Sequence, residues 1–212
     1  MKVLDDYSFT PGGQDIKNMV IFLHGYGADG KDLISIAPLW AESMPNTVFF
    51  APNAPEPCEM SPSGFQWFSL ADRSPDRMKA GAANVDKVLK TYIQAKLEAN
   101  DLAIDNLAIV GFSQGTMMAL YTMPQLKHAC AGVLGYSGRA LITPDDSSVK
   151  FPICAIHGTA DEIVPFDSLK HLEDSFTKWP DVKTHARPNL GHGIDQQGLQ
   201  IGAKFLKDCL YS

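Results

Sequence analysis

Residues 107–121 read Leu107-Ala-Ile-Val-Gly-Phe-Ser-Gln-Gly115, followed by Thr116-Met-Met-Ala-Leu-Tyr121. The first four residues are an apolar run typical of a strand, and the last six predict a helix. The connecting Gly111-Phe-Ser-Gln-Gly115 has two glycines, which permit a tight turn where side chains would collide with the neighbouring strand and helix. A serine at the tip of such a strand-turn-helix unit projects above the edge of a sheet. Ser113 is therefore a candidate nucleophile, and its alternative role is to cap the helix.

The composition predicts a single domain over residues 1–212, because 45% hydrophobic residues suffice for one well-buried core at this length. The formal net charge of −6 argues against a nucleic-acid-binding surface, so we expect a small-molecule partner and no nucleic acid. Residues 1–10 lack the pattern of an export signal, and no apolar run is long enough to span a bilayer. We therefore expect no integral membrane segment and a cytoplasmic location.

The four cysteines are widely spaced and include no CxxC pair. This spacing suggests neither a zinc site nor a disulfide framework, so we expect reduced thiols and no metal.

Strand-like and helix-like segments alternate along the chain. We predict strands at 19–23, 47–51, 107–110, 129–136, 151–156 and 182–186. We predict helices at 31–43, 76–100, 116–121, 166–178 and 196–210, and Pro38 makes the first of them either broken or late-starting. This alternation favours the α/β class, with a mostly parallel central sheet and helices on both faces. The connection at 137–150 is too short for a cap domain, which predicts an open site.

Residues 52–75 differ from the rest of the chain, because they contain five prolines and no hydrophobic periodicity. A loop of this length is usually functional or disordered, and its large apolar side chains argue against disorder. We expect it to form a packed wall beside the active site. The alternative is that its aromatic residues only anchor the loop to the core.

A serine nucleophile needs a base and a group that orients the base. His192 lies in a glycine-flanked loop after the last predicted strand, and Asp161 follows the strand at 151–156. Glu162 and Asp195 are the competing carboxylates, although Asp195 could instead cap the last helix. The order Ser113, Asp161, His192 is the chain order of α/β-hydrolase triads.

Acyl transfer also needs hydrogen-bond donors for the developing oxyanion. The backbone N–H of Gln114 is one candidate. The second donor is expected from the loop after the first apolar strand, either Leu23 at its edge or one of the residues His24 to Tyr26.

Five motifs together resemble the phospholipase/carboxylesterase family of α/β-hydrolases, which includes bacterial carboxylesterases and acyl-protein thioesterases. They are Leu23-His-Gly-Tyr-Gly-Ala-Asp-Gly30, Trp67-Phe68, Gly111-Phe-Ser-Gln-Gly115, His157-Gly-Thr-Ala-Asp-Glu-Ile-Val-Pro165 and Gly191-His-Gly193. The resemblance covers nearly the whole chain. It implies a Ser113-His192-Asp161 triad and an oxyanion hole formed by the N–H groups of Leu23 and Gln114.

The same resemblance implies an acyl-binding groove bordered by the loop that holds Phe65, Trp67 and Phe68. The family often has Asp after the Trp-Phe pair, whereas this chain has Ser69. Family members often form dimers, but no self-complementary patch stands out in this sequence, so a homodimer is an open alternative.

These expectations describe a carboxylesterase that cleaves esters or thioesters through an acyl-enzyme, without a cofactor. Lysophospholipase or acyl-protein thioesterase activity is the alternative within the same class. A non-catalytic binding protein of the same fold is the alternative outside it.

Overall fold

The computed structural model describes residues 4–12 and 15–211. The strands of this part are β1 Asp6–Phe9, β2 Asn18–Leu23, β3 Thr47–Pro52, β4 Glu56–Cys58, β5 Ser61–Gln66, β6 Leu107–Phe112, β7 Gly132–Tyr136, β8 Ile153–Gly158 and β9 Val182–Arg187. Its helices are α1 Gly30–Ile34, α2 Ala37–Ala41, α3 Pro75–Ala99, α4 Gln114–Thr122, α5 Asp167–Ser175 and α6 Gln196–Leu210.

Seven strands form one sheet in the order β1-β3-β2-β6-β7-β8-β9. All neighbours are parallel except β1, which pairs antiparallel with β3 at the edge. The mostly parallel α/β sheet predicted from the alternating pattern is therefore confirmed. Because parallel strands end at the same edge, the loops after β2, β6, β7, β8 and β9 share one side of the sheet.

Helices cover both faces of the sheet, and the continuously apolar strands explain why. In β2, Met19, Ile21 and Leu23 face a core completed by α3, α4 and α5. Val20 and Phe22 face a second core completed by α1, α2 and α6. A strand that is buried on both faces needs apolar residues at every position rather than at alternate ones.

Two local features differ from the sequence-based expectations, and a third agrees in part. The edge strand β1 was not predicted, because four residues of mixed polarity are too short to show a strand period. Residues 52–75 are not an irregular loop throughout, since they contain the β4-β5 hairpin. The helix expected over 31–43 is broken, but the break lies at residues 35 and 36 between α1 and α2, and Pro38 lies in the first turn of α2.

Residues 137–152, between β7 and β8, contain neither helix nor strand. The expected absence of a cap domain at this connection agrees with the observed fold. Among the helices of the described residues, none is both long and apolar enough to cross a membrane.

Candidate active site

Ser113 occupies a strained turn between β6 and α4. Its φ of 52° and ψ of −114° lie in a region that side-chain-bearing residues rarely adopt. A Cβ on Gly111 would collide with the backbone of Thr116, and one on Gly115 would collide with the carbonyl of Leu23. The steric role predicted for both glycines is therefore confirmed.

The helix-capping alternative for Ser113 is not realised. Ser113 precedes the first residue of α4, but its side chain makes no capping hydrogen bond. Its backbone N–H donates to the carbonyl of Tyr136 at the end of β7, over 2.8 Å. The turn is thus held through its backbone, which leaves the hydroxyl of Ser113 available for chemistry.

Asp161 and His192 meet at the same edge of the sheet. His192 Nδ1 lies 2.8 Å from Asp161 Oδ2, and the imidazole packs on the ring of Phe112 with centroids 5.0 Å apart. The side chain of Asp161 is fully buried, whereas that of His192 is 18% exposed. A buried carboxylate therefore orients an imidazole that is itself partly exposed. A histidine that acts as a general base needs this arrangement.

The pKa of Asp161 results from opposing effects. Burial favours the neutral acid, but hydrogen bonds from His192 and from the N–H groups of Val164 and Ile163 together outweigh it. The pKa of Asp161 is therefore below its ordinary value. The carboxylate stays ionised at neutral pH, where it can stabilise a protonated imidazole.

His157 is a second histidine in contact with Asp161. Its Nε2 lies 2.9 Å from the carbonyl of Val164 and 3.2 Å from Asp161 Oδ2, in a fully buried position. An N–H on His157 Nε2, shared between these two oxygens, holds the loop that carries Asp161 close to the end of β8. The sequence shows only that His157 ends an apolar run before Gly158, and its contact with the Asp161 carboxylate depends on the folded structure.

Asp195 and Glu162, the sequence-based alternatives to Asp161, make no hydrogen bond or ion pair with His192 among the described residues. Asp195 caps α6 by accepting from the N–H of Gly198 over 2.7 Å, and it pairs with Arg187 over 2.9 Å. The sequence-based alternative role for Asp195 is therefore the one observed. Glu162 is exposed, so its side chain is not placed to orient a histidine.

A cavity of about 220 Å³ lies over Ser113 and His192. Its wall is mostly apolar and includes Leu70, Met78, Met117, Ile163, Val164 and Pro165. Gly25, Tyr26, Arg73 and Arg139 also line it. An apolar cleft with a few polar groups around a candidate nucleophile is the usual form of a small-molecule site.

The substrate groove expected at Phe65, Trp67 and Phe68 is not formed by these residues. Trp67 is completely buried and Phe68 is 3% exposed, while Phe65 packs against the same core; none of the three lines the cavity. Large aromatic side chains gain more from filling the space beneath the hairpin than from facing water. The same segment borders the cavity through Leu70 and Arg73 instead. The anchoring alternative describes Trp67 and Phe68 correctly.

The side chain of Gln114 ties the nucleophile turn to the segment after the hairpin. Its Oε1 accepts from the N–H of Trp67 over 2.9 Å, and its Nε2 donates to the carbonyl of Phe68 over 2.7 Å. Gln114 is completely buried. Its amide therefore satisfies two backbone groups that have no access to water.

Gln114→Ala is expected to lower the free energy of unfolding by about 2 kcal/mol, because it leaves these buried backbone groups unpaired. Denaturant unfolding followed by circular dichroism measures this change. Gln94→Ala is the matched control, since Gln94 lies exposed on α3, and it should shift stability by less than about 0.5 kcal/mol. Equal stability of the two variants would contradict the stabilising role assigned to the Gln114 side chain.

Comparison with known proteins shows the family of this chain. The model of the family described as Phospholipase/Carboxylesterase matches residues 6–210. The chain belongs to this family. An acyl-protein thioesterase 1 from Debaryomyces hansenii is 29% identical over 92% of this chain and 92% of its own length. Esterase YpfH from Escherichia coli is 25% identical over 90% of this chain and 82% of its own length.

A solved structure of esterase PE8 shares the fold with a TM-score of 0.91 and 33% identity. The match covers 99% of this chain and 100% of that one. Together with the family match, these similarities make the chain a hydrolase of the carboxylesterase or thioesterase type.

Ser69 stands where the phospholipase/carboxylesterase family often has Asp. Its hydroxyl donates to Glu59 Oε1 over 2.6 Å, and Tyr26 donates to the same oxygen over 3.1 Å. The hydrogen bond from Ser69, supported by that from Tyr26, places the pKa of Glu59 below its ordinary value. An aspartate at position 69 would place a second negative charge beside Glu59. Serine avoids this repulsion and donates a hydrogen bond to Glu59 instead.

The loop after β2 is held by buried polar contacts. His24 Nδ1 lies 2.7 Å from the carbonyl of Gly25, and His24 Nε2 accepts from the N–H of Ala54. Burial lowers the pKa of His24, so the ring is neutral and can act as donor and acceptor at once. Trp67 Nε1 donates to the carbonyl of His24. This part of the family motif therefore fixes the loop instead of facing the cavity.

Sequence reasoning missed both arginines of the cavity wall, Arg73 and Arg139. Arg139 follows the end of β7, beside β6 in the sheet, so its position at the carboxyl edge was a usable signal. Arg73 lies in the irregular segment before α3, where no periodic pattern indicates which way a side chain points. Only the folded chain brings both to one cavity.

Proposed function

We propose that this chain is a serine carboxylesterase or thioesterase in which Ser113, His192 and Asp161 form the catalytic triad. The observation that carries the proposal is the buried Asp161 carboxylate 2.8 Å from His192 Nδ1. His192 lines the same cavity as Ser113, whose hydroxyl makes no capping hydrogen bond. Family membership supports ester or thioester hydrolysis as the reaction. The proposed triad supplies a mechanism for this hydrolysis.

In the proposed mechanism the hydroxyl of Ser113 attacks the acyl carbonyl carbon, and His192 Nε2 takes its proton. The protonated imidazole is stabilised by the ionised Asp161 and returns the proton to the leaving alcohol or thiol. The acyl group remains on Ser113 as an ester. A water molecule, deprotonated by His192, then attacks this acyl-enzyme and releases the carboxylic acid.

The N–H groups of Gln114 and Tyr26 are the proposed oxyanion donors. The N–H of Gln114 begins α4, where it has no intrahelical acceptor and lies at the positive end of the helix. Leu23 is completely buried within β2 and does not line the cavity, whereas Gly25 and Tyr26 do. Within residues 15–211, no hydrogen bond uses the N–H of Tyr26. We therefore prefer Tyr26 to Leu23 for this role.

Acyl-protein thioesterase activity is the alternative main activity, and it is favoured by the name of the Debaryomyces hansenii relative. Oxygen and sulfur esters share the same acyl-enzyme, so the triad does not discriminate between them. A matched oxyester and thioester of one acyl chain, compared by kcat/KM, distinguishes the two substrates. A lysophospholipid in the same panel tests the remaining alternative.

Fluorophosphonate labelling tests the proposal directly. An activated serine displaces fluoride from phosphorus and becomes covalently phosphonylated, whereas an ordinary hydroxyl does not react. We expect one equivalent of probe on Ser113, located by peptide mass spectrometry, and none on the Ser113→Ala variant. Ser35→Ala is the matched control, because Ser35 is exposed, and it should label fully. Unlabelled wild-type protein would instead favour a non-catalytic binding protein.

A further inference from the structure

Two cationic side chains at the cavity lack partners among the described residues. Arg73, before α3, and Arg139, after β7, both line the cavity above Ser113. Within residues 4–12 and 15–211, neither guanidinium makes an ion pair or a hydrogen bond. The arginines that do pair in this part of the chain are Arg77, with Asp72, and Arg187, with Asp195.

The carboxylates that neighbour cavity-lining residues have partners other than the arginine pair, Arg73 and Arg139. No Asp or Glu among the described residues lines the cavity. Asp72 accepts from the N–H of Ser74 over 2.8 Å, and Glu59 accepts from Ser69 and Tyr26. Asp161 is buried behind His192. The cavity wall is thus locally cationic in a chain whose formal net charge is −6.

A guanidinium has five N–H donors in a planar arrangement that fits a carboxylate or phosphate. Arg139 is half-buried, so its attraction for an anion is screened less than in open water, whereas Arg73 is exposed and its attraction is screened more. The wall formed by Leu70, Met78 and Met117 suits an apolar acyl chain. The cavity therefore combines an apolar surface next to the nucleophile with two unpaired cations.

We propose that the natural substrate is an anionic ester or thioester, whose carboxylate or phosphate binds Arg73 and Arg139 while its acyl carbon meets Ser113. This inference rests on the proposed serine hydrolase function and adds a substrate class to it. The anionic group lies either at the far end of the acyl chain or on the leaving group. Both sources present the same chemistry to the arginine pair.

Two matched substrate pairs test this inference. For the acyl side, p-nitrophenyl hexanoate is compared with the mono-p-nitrophenyl ester of adipic acid, which carries a terminal carboxylate. For the leaving-group side, monohexanoylglycerol is compared with its 3-phosphate. The readout is the ratio of kcat/KM for the anionic substrate to kcat/KM for its neutral partner, measured in the wild type and in Arg73→Gln, Arg139→Gln and the double variant.

The wild type should prefer the anionic substrate by about tenfold in at least one pair, and each single substitution should reduce that ratio about threefold. The double variant should show no preference, and added salt should weaken the wild-type preference. Arg77→Gln is the matched control, because Arg77 is exposed, pairs with Asp72 over 3.9 Å and does not line the cavity. It should keep the wild-type ratio.

A wild-type ratio of one or less in both pairs, or a ratio unchanged in the double variant, would overturn the inference. In that case, neutral ester hydrolysis that disappears in Ser113→Ala would leave the proposed hydrolase function intact. Hydrolysis that persists in Ser113→Ala would instead refute the hydrolase mechanism. The two proposals therefore fail on different measurements.

Discussion

Replacing Ser113 by alanine is expected to lower kcat for hydrolysis of a p-nitrophenyl acyl ester by about a millionfold, the scale seen when a triad nucleophile is removed. Without the hydroxyl no acyl-enzyme forms. The side chain of Ser113 makes no capping hydrogen bond to α4, so loss of such a bond does not account for the lower rate. Steady-state release of p-nitrophenol measures the rate, and the residual rate reports binding and oxyanion stabilisation alone.

The Ser113→Ala result is interpretable only in folded protein. Alanine has the same difficulty as serine at a φ of 52°, so we expect an unchanged unfolding midpoint. Ser35→Ala should retain full activity as the control for a lost hydroxyl. Wild-type rates of ester hydrolysis in folded Ser113→Ala would exclude Ser113 as the nucleophile.

Asp161→Asn is expected to lower kcat by about ten-thousandfold with little change in KM. The carboxylate accepts from His192 Nδ1 over 2.8 Å and also contacts His157. An amide has no charge to stabilise the imidazolium, and its NH₂ group could bond the wrong tautomer of His192. Because the pKa of Asp161 is already below its ordinary value, the wild-type residue is ionised throughout the neutral range.

Asp195→Asn is the control for this substitution, since Asp195 competed for the same role in the sequence. Its contacts with Gly198 and Arg187 predict a loss of about 1 kcal/mol in unfolding free energy and no comparable loss in kcat. If Asp161→Asn kept more than a tenth of wild-type kcat, or Asp195→Asn lost as much, the assignment of Asp161 would be wrong.

Much of the fold followed from the order of apolar runs and glycines. The strands that are buried on both faces, such as β2 and β6, are continuous apolar runs, and the long helix α3 shows the apolar spacing of an amphipathic helix. The β4-β5 hairpin carries Pro57 and Pro62 and little regular alternation, so its pairing has no sequence signature of that kind.

The sequence by itself determined the candidate nucleophile, base and acid. Ser113, Asp161 and His192 each follow a predicted strand, and parallel strands place such residues at one edge. The steric requirement at Gly111 is equally local, because a Cβ there would meet the backbone of Thr116. The requirement at Gly115 involves the carbonyl of Leu23 in the neighbouring strand β2.

Only the tertiary structure decided which side chains face the cavity. Trp67 and Phe68 turn into the core, while Tyr26, Arg73 and Arg139 line the wall. Side-chain direction in irregular segments depends on distant partners, such as the Gln114 amide that holds the backbone of Trp67 and Phe68. Local sequence specifies the candidate reacting groups, whereas long-range packing specifies the cavity surface around them.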